Sequence, residues 1–292
     1  MSTRPVDEHI AEMVVLEKVG TTAHLILNRP EKGNALPFAA LAHLVDLLHD
    51  CEDDDDVKVI VLRGRGRSFC VGDDYDDITA AYGHATKPGE KPARTSQRKR
   101  LAIDRILGRA VHAFQHAAKP VIAQVHGNCV GIGIFLVEVA DLALCADDTR
   151  FSHTEQRLGL AGNTFNLAHL IVLYGPKKAR ELLLLGEQFD GPAAEAMGLV
   201  NRSVPLEELD ATVADWVARI SRNAKDALVM GKAAHNMALA QLGIGGYVHA
   251  GMVGHALATN IKYEPDDYNF FRERRDRGTR GAFEAREHFH DT

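Results

Sequence analysis

Two glycine-rich turns carry the first chemical signal in this chain of 292 residues. One, RGRGRSFCVGDDYDD over residues 63–77, directly follows the branched run VKVIVL. The other opens residues 119–141, KPVIAQVHGNCVGIGIFLVEVAD: a short apolar run, His126-Gly127, glycines at 131 and 133, then an almost unbroken apolar segment. Glycine weakens a helix by about 0.5–1 kcal/mol relative to alanine, so two of them at the mouth of an apolar helix imply a close neighbour to the main chain. A helix start leaves its first N–H groups unpaired and carries partial positive charge, which suits an anion developing on a ligand. Neither turn is a nucleotide fingerprint, since the third glycine of G-x-G-x-x-G and the G-K-[ST] of a phosphate loop are both missing. Taken singly, each turn also reads as a tight crossover. Groups able to move protons lie within these stretches: Asp73, Asp74 and Glu138. His112 and His116 have i,i+4 spacing, but no third ligand or adjacent glutamate completes a metal motif, so no metal is expected.

The elements that must position these residues alternate. MVVLEKVG, TAHLILN and VKVIVLRG read as strands bounded by turn signals, and 37–52 carries Leu41, Leu44, Val45 and Leu48 at helical spacing. DLALCA and RFSH follow, then a helical segment from about 164 and another over 176–185, where Pro176 suits a first turn. GPAAEAMGLVNRSVP reads as a helix stopped by Gly198 and leading into a strand. From 205 onward the patterns are helical. An α/β body over 1–204 and a helical region over 205–292 are expected. Residues 79–100 hold two prolines, two glycines and many charges, and predict a mobile surface loop leading into a helix. That stretch and RERRDRGTR (272–280) read either as solvated basic faces or as rims for phosphate.

Composition narrows the class. Apolar residues at 46% and charged residues at 25% fit a globular chain, and the formal charge of −6 argues against general affinity for nucleic acid or anionic membrane. Four cysteines without a C-x-x-C pair suggest structural thiols in a reduced compartment. The N-terminus lacks the apolar core of a secretory signal. Glu138 and Asp141 interrupt the best apolar run before the roughly 18 residues of a membrane span. A cytoplasmic protein is expected.

Together, in this order and spacing, the motifs resemble the crotonase superfamily, the enoyl-CoA hydratase/isomerase family. The resemblance rests on LNRPEKGNAL (27–36), SFCVGDDYDDI (68–78), KPVIAQVHGNCVGIGI (119–134), ADLALCADDTRFSHTEQRLGL (140–160) and GEQFDGPAAEAMGLVNRSV (186–204). It implies an α/β fold, a crotonase-like spiral of β-β-α units with a C-terminal helical trimerisation region. It also implies an acyl-CoA thioester as substrate and a homotrimer or dimer of trimers. No cofactor is implied beyond the coenzyme A of the substrate. Main-chain N–H groups of Asp73 and Ile132 take the places of an oxyanion hole, with the glycines letting the thioester lie against the backbone. Of the hydratases' two glutamates, one position is Phe135 and the other is Glu155. One base that moves a proton between carbons is isomerase chemistry; hydration needs another group. Asn163 stands where some relatives carry an aspartate, and as an amide it only hydrogen-bonds. Glu138 reads as a substitute carboxylate or a buried ion-pair member, and His153 as a hydrogen-bonding partner or a surface imidazole. Asp73 stands where relatives carry a small or apolar residue. Lys32, Val71, Gly72, Asp74, Tyr75, Gly131, Phe135 and Asn163 are the implied contacts to substrate and coenzyme A. Readings of other kinds are a thioester hydrolase or C–C bond-cleaving relative, and a non-catalytic acyl-CoA- or RNA-binding relative using the RKR surface.

Overall fold

A computed structural model describes residues 7–93, 95–160, 167–243, 251, 263–264 and 266–291. Helix α1 (Glu8–Met13) leads into β1 (Val14–Val19) and β2 (Thr22–Leu27), an antiparallel hairpin turning at Gly20. Then come α2 (Phe38–Asp53), β3 (Val59–Gly64), α3 (Tyr75–Tyr82), α4 (Gln97–His116), β4 (Val121–Val125), β5 (Asn128–Val130) and α5 (Ile132–Val139). The chain continues through β6 (Leu142–Ala146), β7 (Arg150–Ser152), α6 (Leu167–Leu185), α7 (Gly191–Met197) and β8 (Arg202–Val204). Helices α8 (Leu206–Ser221), α9 (Lys225–Gln241) and α10 (Phe270–Asp291) close the chain. Helix α6 breaks at Gly175 immediately before Pro176, and α10 breaks at Gly278.

Six strands form one sheet in the order β1-β2-β3-β4-β6-β8, parallel from β2 onward. Parallel strands covered on both faces read as continuous branched runs, which is why VIVLRG and VIAQV lack polar alternation. One face packs Leu25, Leu62 and Ala123 against Leu44, Phe114 and Leu136. The other face buries Val59, Val61, Ile122 and Leu144 under Leu209 and Val213 of α8. The strand-to-helix change therefore falls at Pro205, and α8 covers the sheet.

The spiral arises because β2, β3, β4 and β6 are each followed by a second, shorter extended piece and then a helix. After β4 comes β5 and then α5; after β6 comes β7, which pairs in parallel with β5. After β3 the equivalent piece is Cys70, in a parallel bridge to Cys129 of β5, and after β2 it is Leu36, bridged to Asp73. Successive turns thus stack their short pieces beside one another.

Two expectations about 79–100 are corrected. Residues 79–82 complete α3, burying Thr79 and Tyr82, and the irregular segment starts at Gly83. Arg100 is buried with its guanidinium 5.4 Å from the centre of the Tyr82 ring. It is not a rim residue. The physical reason is Asp104: fully buried, it accepts a hydrogen bond from the Tyr82 hydroxyl at 2.7 Å and so draws this stretch inward. Among the described residues no helix is long and apolar enough to cross a membrane.

One buried side chain ties the first motif to the second. Asn34 adopts φ 59°, a conformation asparagine tolerates better than most residues. Its Nδ2 donates to the carbonyls of Arg65, Ser68 and Phe69 at 2.9, 2.7 and 3.1 Å, and its Oδ1 accepts the Arg29 N–H at 2.8 Å. Replacing Asn34 by leucine leaves these groups unpaired in the interior. The expected loss is about 3 kcal/mol, read as a lower urea midpoint at unchanged m-value.

Candidate active site

The two glycine-rich turns meet face to face. A Cβ on Gly131 would lie 3.3 Å from the Gly72 Cα, and one on Gly72 would lie 3.3 Å from the Val130 carbonyl oxygen. Both glycines have positive φ, 104° at Gly72 and 56° at Gly131. Two residues further on, a Cβ on Gly133 would stand 2.8 Å from the Cys70 carbonyl oxygen. The close neighbour implied by these glycines is therefore the other turn. Main-chain bonds zip the pair together: Phe69 N–H to His126 O at 2.8 Å, Cys70 N–H to Asn128 O at 3.1 Å, and Val130 N–H to Cys70 O at 2.9 Å. Ile132 opens α5 immediately beside this junction, so its amide belongs to the first helical turn, whose donors have no intrahelical acceptor.

Leu36 holds the first turn from the opposite side. Its N–H donates to Gly72 O at 2.9 Å and its carbonyl accepts the Asp74 N–H at 3.1 Å. Asp74 then caps α3, accepting the Asp76 N–H at 2.8 Å and the Arg29 guanidinium at 2.5 Å. Burial opposes its negative charge, but Arg29 and the helix amides outweigh it, holding the carboxyl below the ordinary aspartate range. Asp74 thus has a framework task. Because its folded-state pKa is depressed, its stabilisation is complete above the unfolded value near pH 4 and fades as pH falls through the lower folded value. Asp74→Asn is accordingly expected to melt below wild type at pH 7, with the two melting curves converging toward pH 3.

Glu155 ends the segment after β7, immediately before a 3₁₀ turn (Gln156–Leu158), and is half-buried. That turn closes at Gly159, φ 74°, whose Cβ position lies 2.3 Å from the Tyr268 carbonyl oxygen, so the C-terminal segment clamps it. Tyr75 at the start of α3 is also half-buried, its ring tilted against those of Phe270 and Phe283 of α10 with centroids 4.8 and 6.1 Å away. Burial first, then the fields of Asp73 and Glu155, push its hydroxyl up to about 12 against the pull of arginines. The phenol stays protonated at neutral pH, and both carboxylates act on it. Phe135 is buried in α5 and lies on the His153 ring, centroids 5.8 Å apart and planes 23° from parallel.

Other sequence candidates are placed as follows. Lys32 is exposed on a 3₁₀ turn (Pro30–Lys32), and the next residue, Gly33, packs on Val71 and accepts its N–H at 3.1 Å. Asn163 lies outside the described residues. His153 is buried and bonded to Glu138, so its reading as a surface imidazole is corrected, and Glu138 is a buried partner of that ring. The arginines of 272–280 are balanced within the chain: Arg274 binds Asp76 and Thr79, Arg275 binds Asp276, Arg277 binds Glu273 and Arg280 binds Glu284. Sequence reasoning overlooked Asn34, Arg29 and the α10 aromatic wall. The first two sit inside the quoted LNRPEKGNAL, where an asparagine after glycine was the available signal.

A parallel-sheet spiral with paired main-chain turns and a half-buried acid defines a class, and the comparisons say which. The chain matches the family profile for enoyl-CoA hydratase/isomerase over residues 17–276, and it belongs to that family. A solved enoyl-CoA hydratase/isomerase from Xanthobacter autotrophicus Py2 superposes with TM-score 0.83 at 27% identity, covering 94% of this chain and 97% of that one. An enoyl-CoA hydratase from Mycobacterium smegmatis superposes equally well, TM-score 0.83 at 27% identity, covering 97% and 96%. The peroxisomal Delta(3,5)-Delta(2,4)-dienoyl-CoA isomerase of Arabidopsis thaliana is 33% identical over 179 residues, 61% of this chain. The match spans 64% of that relative's length.

Proposed function

We propose that this protein is an isomerase of enoyl- or dienoyl-CoA thioesters. The observation that supports it most is the contact of Gly72 with Gly131, which brings two main-chain turns and a helix start to one place. With the Gly72 carbonyl and the Asp74 amide both turned to Leu36, the alternation of an extended chain turns the Asp73 amide the other way. In this reading the Asp73 and Ile132 amides receive the thioester oxygen. Glu155 takes a proton from a carbon conjugated to the thioester, charge moves onto that oxygen, and the two donors stabilise it. Protonated Glu155 then returns the proton to a different carbon, and one carboxylate suffices. Phe135 supplies an apolar surface where hydratases carry their other glutamate, and the isomerase name of the Arabidopsis relative points the same way. Lys32, Val71 and Tyr75 stand along the proposed path of pantetheine and nucleotide. Exposed Ile171, Val172, Leu184 and Leu185 on α6 and Met230 and Met237 on α9 support assembly into a homotrimer or a dimer of trimers.

Hydration is the second reading, favoured by the joint action of Asp73 and Glu155 on the Tyr75 hydroxyl. Mass spectrometry of 2-enoyl-, 3-enoyl- and dienoyl-CoA incubated in heavy water separates the readings. A deuterated positional isomer is the expected product, and a gain of one water selects hydration. Release of free coenzyme A, or no change in any thioester, overturns both.

A further inference from the structure

Beneath Phe135 lies a buried cluster that the proton shuttle above does not use. Glu138 of α5 and His153, two residues before Glu155, meet with Nε2 to Oε1 at 2.8 Å, and neither side chain has any exposure. The Tyr174 hydroxyl donates to the same Oε1 at 3.1 Å. His169 Nε2 donates to the Glu138 carbonyl oxygen at 2.8 Å, which fixes the main chain under the pair. The imidazole is thus held by Glu138 from α5, which Tyr174 and His169 of α6 bond in turn, and Glu155, two residues along the same segment, acts on the ring through its charge. Burial alone would favour a neutral ring, but the charge and hydrogen bond of Glu138, with the field of Glu155, win and favour the imidazolium.

The other ring nitrogen carries the argument. His153 Nδ1 is buried and has no hydrogen-bond partner among the described residues. In an imidazolium it is an N–H donor, and a buried donor without an acceptor is costly to the fold. Apart from Glu138, which already holds Nε2, the charge acting on the ring is Glu155. A buried ion pair of this kind is seldom kept for stability, because apolar residues of similar size do as well or better.

We infer that His153, anchored by Glu138, is a positioning residue that steadies the Glu155 carboxylate as the proton acceptor from beneath the floor of the site. The inference rests on the role proposed for Glu155 above, so its test reads the carboxyl group directly and needs no substrate. Full-length protein carrying ¹³C-labelled glutamate carboxyls is titrated by NMR, with the Glu155 signal assigned by its loss in Glu155→Gln. Two variants are compared with wild type: His153→Gln, and the paired replacement Glu138→Leu with His153→Leu, which fills the space with apolar atoms. In both, the Glu155 midpoint is expected to rise by about one pH unit, a tenfold change in proton affinity. On a thioester that wild type turns over, kcat falls below the new midpoint while KM holds. A folded paired variant with the wild-type midpoint overturns the inference, even if wild type proves to be an active isomerase. Conversely, a shifted midpoint in a protein inert toward every thioester upholds the pairing and overturns the isomerase reading alone.

Discussion

Glu155→Gln is expected to lower kcat on the protein's acyl-CoA substrate by about 10²–10⁴-fold, the range lost when a positioned acid/base is removed. The amide matches the carboxylate in shape and keeps hydrogen-bonding capacity, but it cannot carry a proton from one carbon to another. Its position is set by main-chain bonds from Leu158 and Leu160 to the Glu155 carbonyl, at 3.1 and 2.9 Å, which the substitution leaves in place. KM for the thioester and the melting temperature should therefore change little. Steady-state kinetics with solvent-deuterium incorporation check both halves. A variant that exchanges protons at the wild-type rate would move the role to Asp73, whose carboxylate also acts on Tyr75.

The second large effect is expected from a single methyl group. Gly131 has φ 56° and ψ −127°, a conformation costly for any residue with a side chain, and its Cβ position faces the Gly72 Cα at 3.3 Å. Gly131→Ala must relieve both, by pushing the turns apart or by rotating the peptide that leads into Ile132. Either movement displaces the proposed donors from the thioester oxygen. One such donor is worth about 10²–10³ in rate in well-studied enzymes, and kcat should fall by that factor. Stability should drop by about 1–3 kcal/mol, the scale of one strained residue. Kinetics paired with urea unfolding separate the two. A variant that loses stability yet keeps kcat would show that these amides do not serve the reaction.

Local rules made much of this molecule readable before its structure. Gly198 stops α7 with φ 86° and an N–H bonded to the Ala194 and Glu195 carbonyls, as a glycine cap should. Pro176 begins a helical stretch after the break at Gly175. Branched runs bounded by turn residues predict the α/β alternation, while the β-β-α spiral is what the family resemblance implies. What stayed hidden depends on partners far along the chain. Thr79 looked like the start of a loop, because nothing near it announces Arg274, which donates to its Oγ1 at 2.9 Å from 195 residues away. Glu138 and His153 were both conspicuous, but their meeting needs the stacking of two spiral turns. The glycines of the second turn demanded a close neighbour, and the pattern alone gave no means of telling a ligand from Gly72 and Cys70. Those contacts are made largely by main-chain atoms of residues far apart in sequence, about which side-chain periodicity carries no information.

That same construction bears on how such a protein diverges. Cys70, Gly72, Val130 and Gly131 meet through backbone atoms, with Asn34 and Leu36 bracing them from outside. Side chains hung around the junction are therefore free to drift without dismantling it. Phe135 and Asp73 are each a single side chain set on that platform, exchangeable without touching its main-chain contacts. An ancestor of this kind can exchange its proton-moving groups one at a time while the proposed grip on an anionic oxygen persists through every step. New reactions on the same class of thioester then lie a few substitutions apart, and selection need never pass through a protein that has lost its fold.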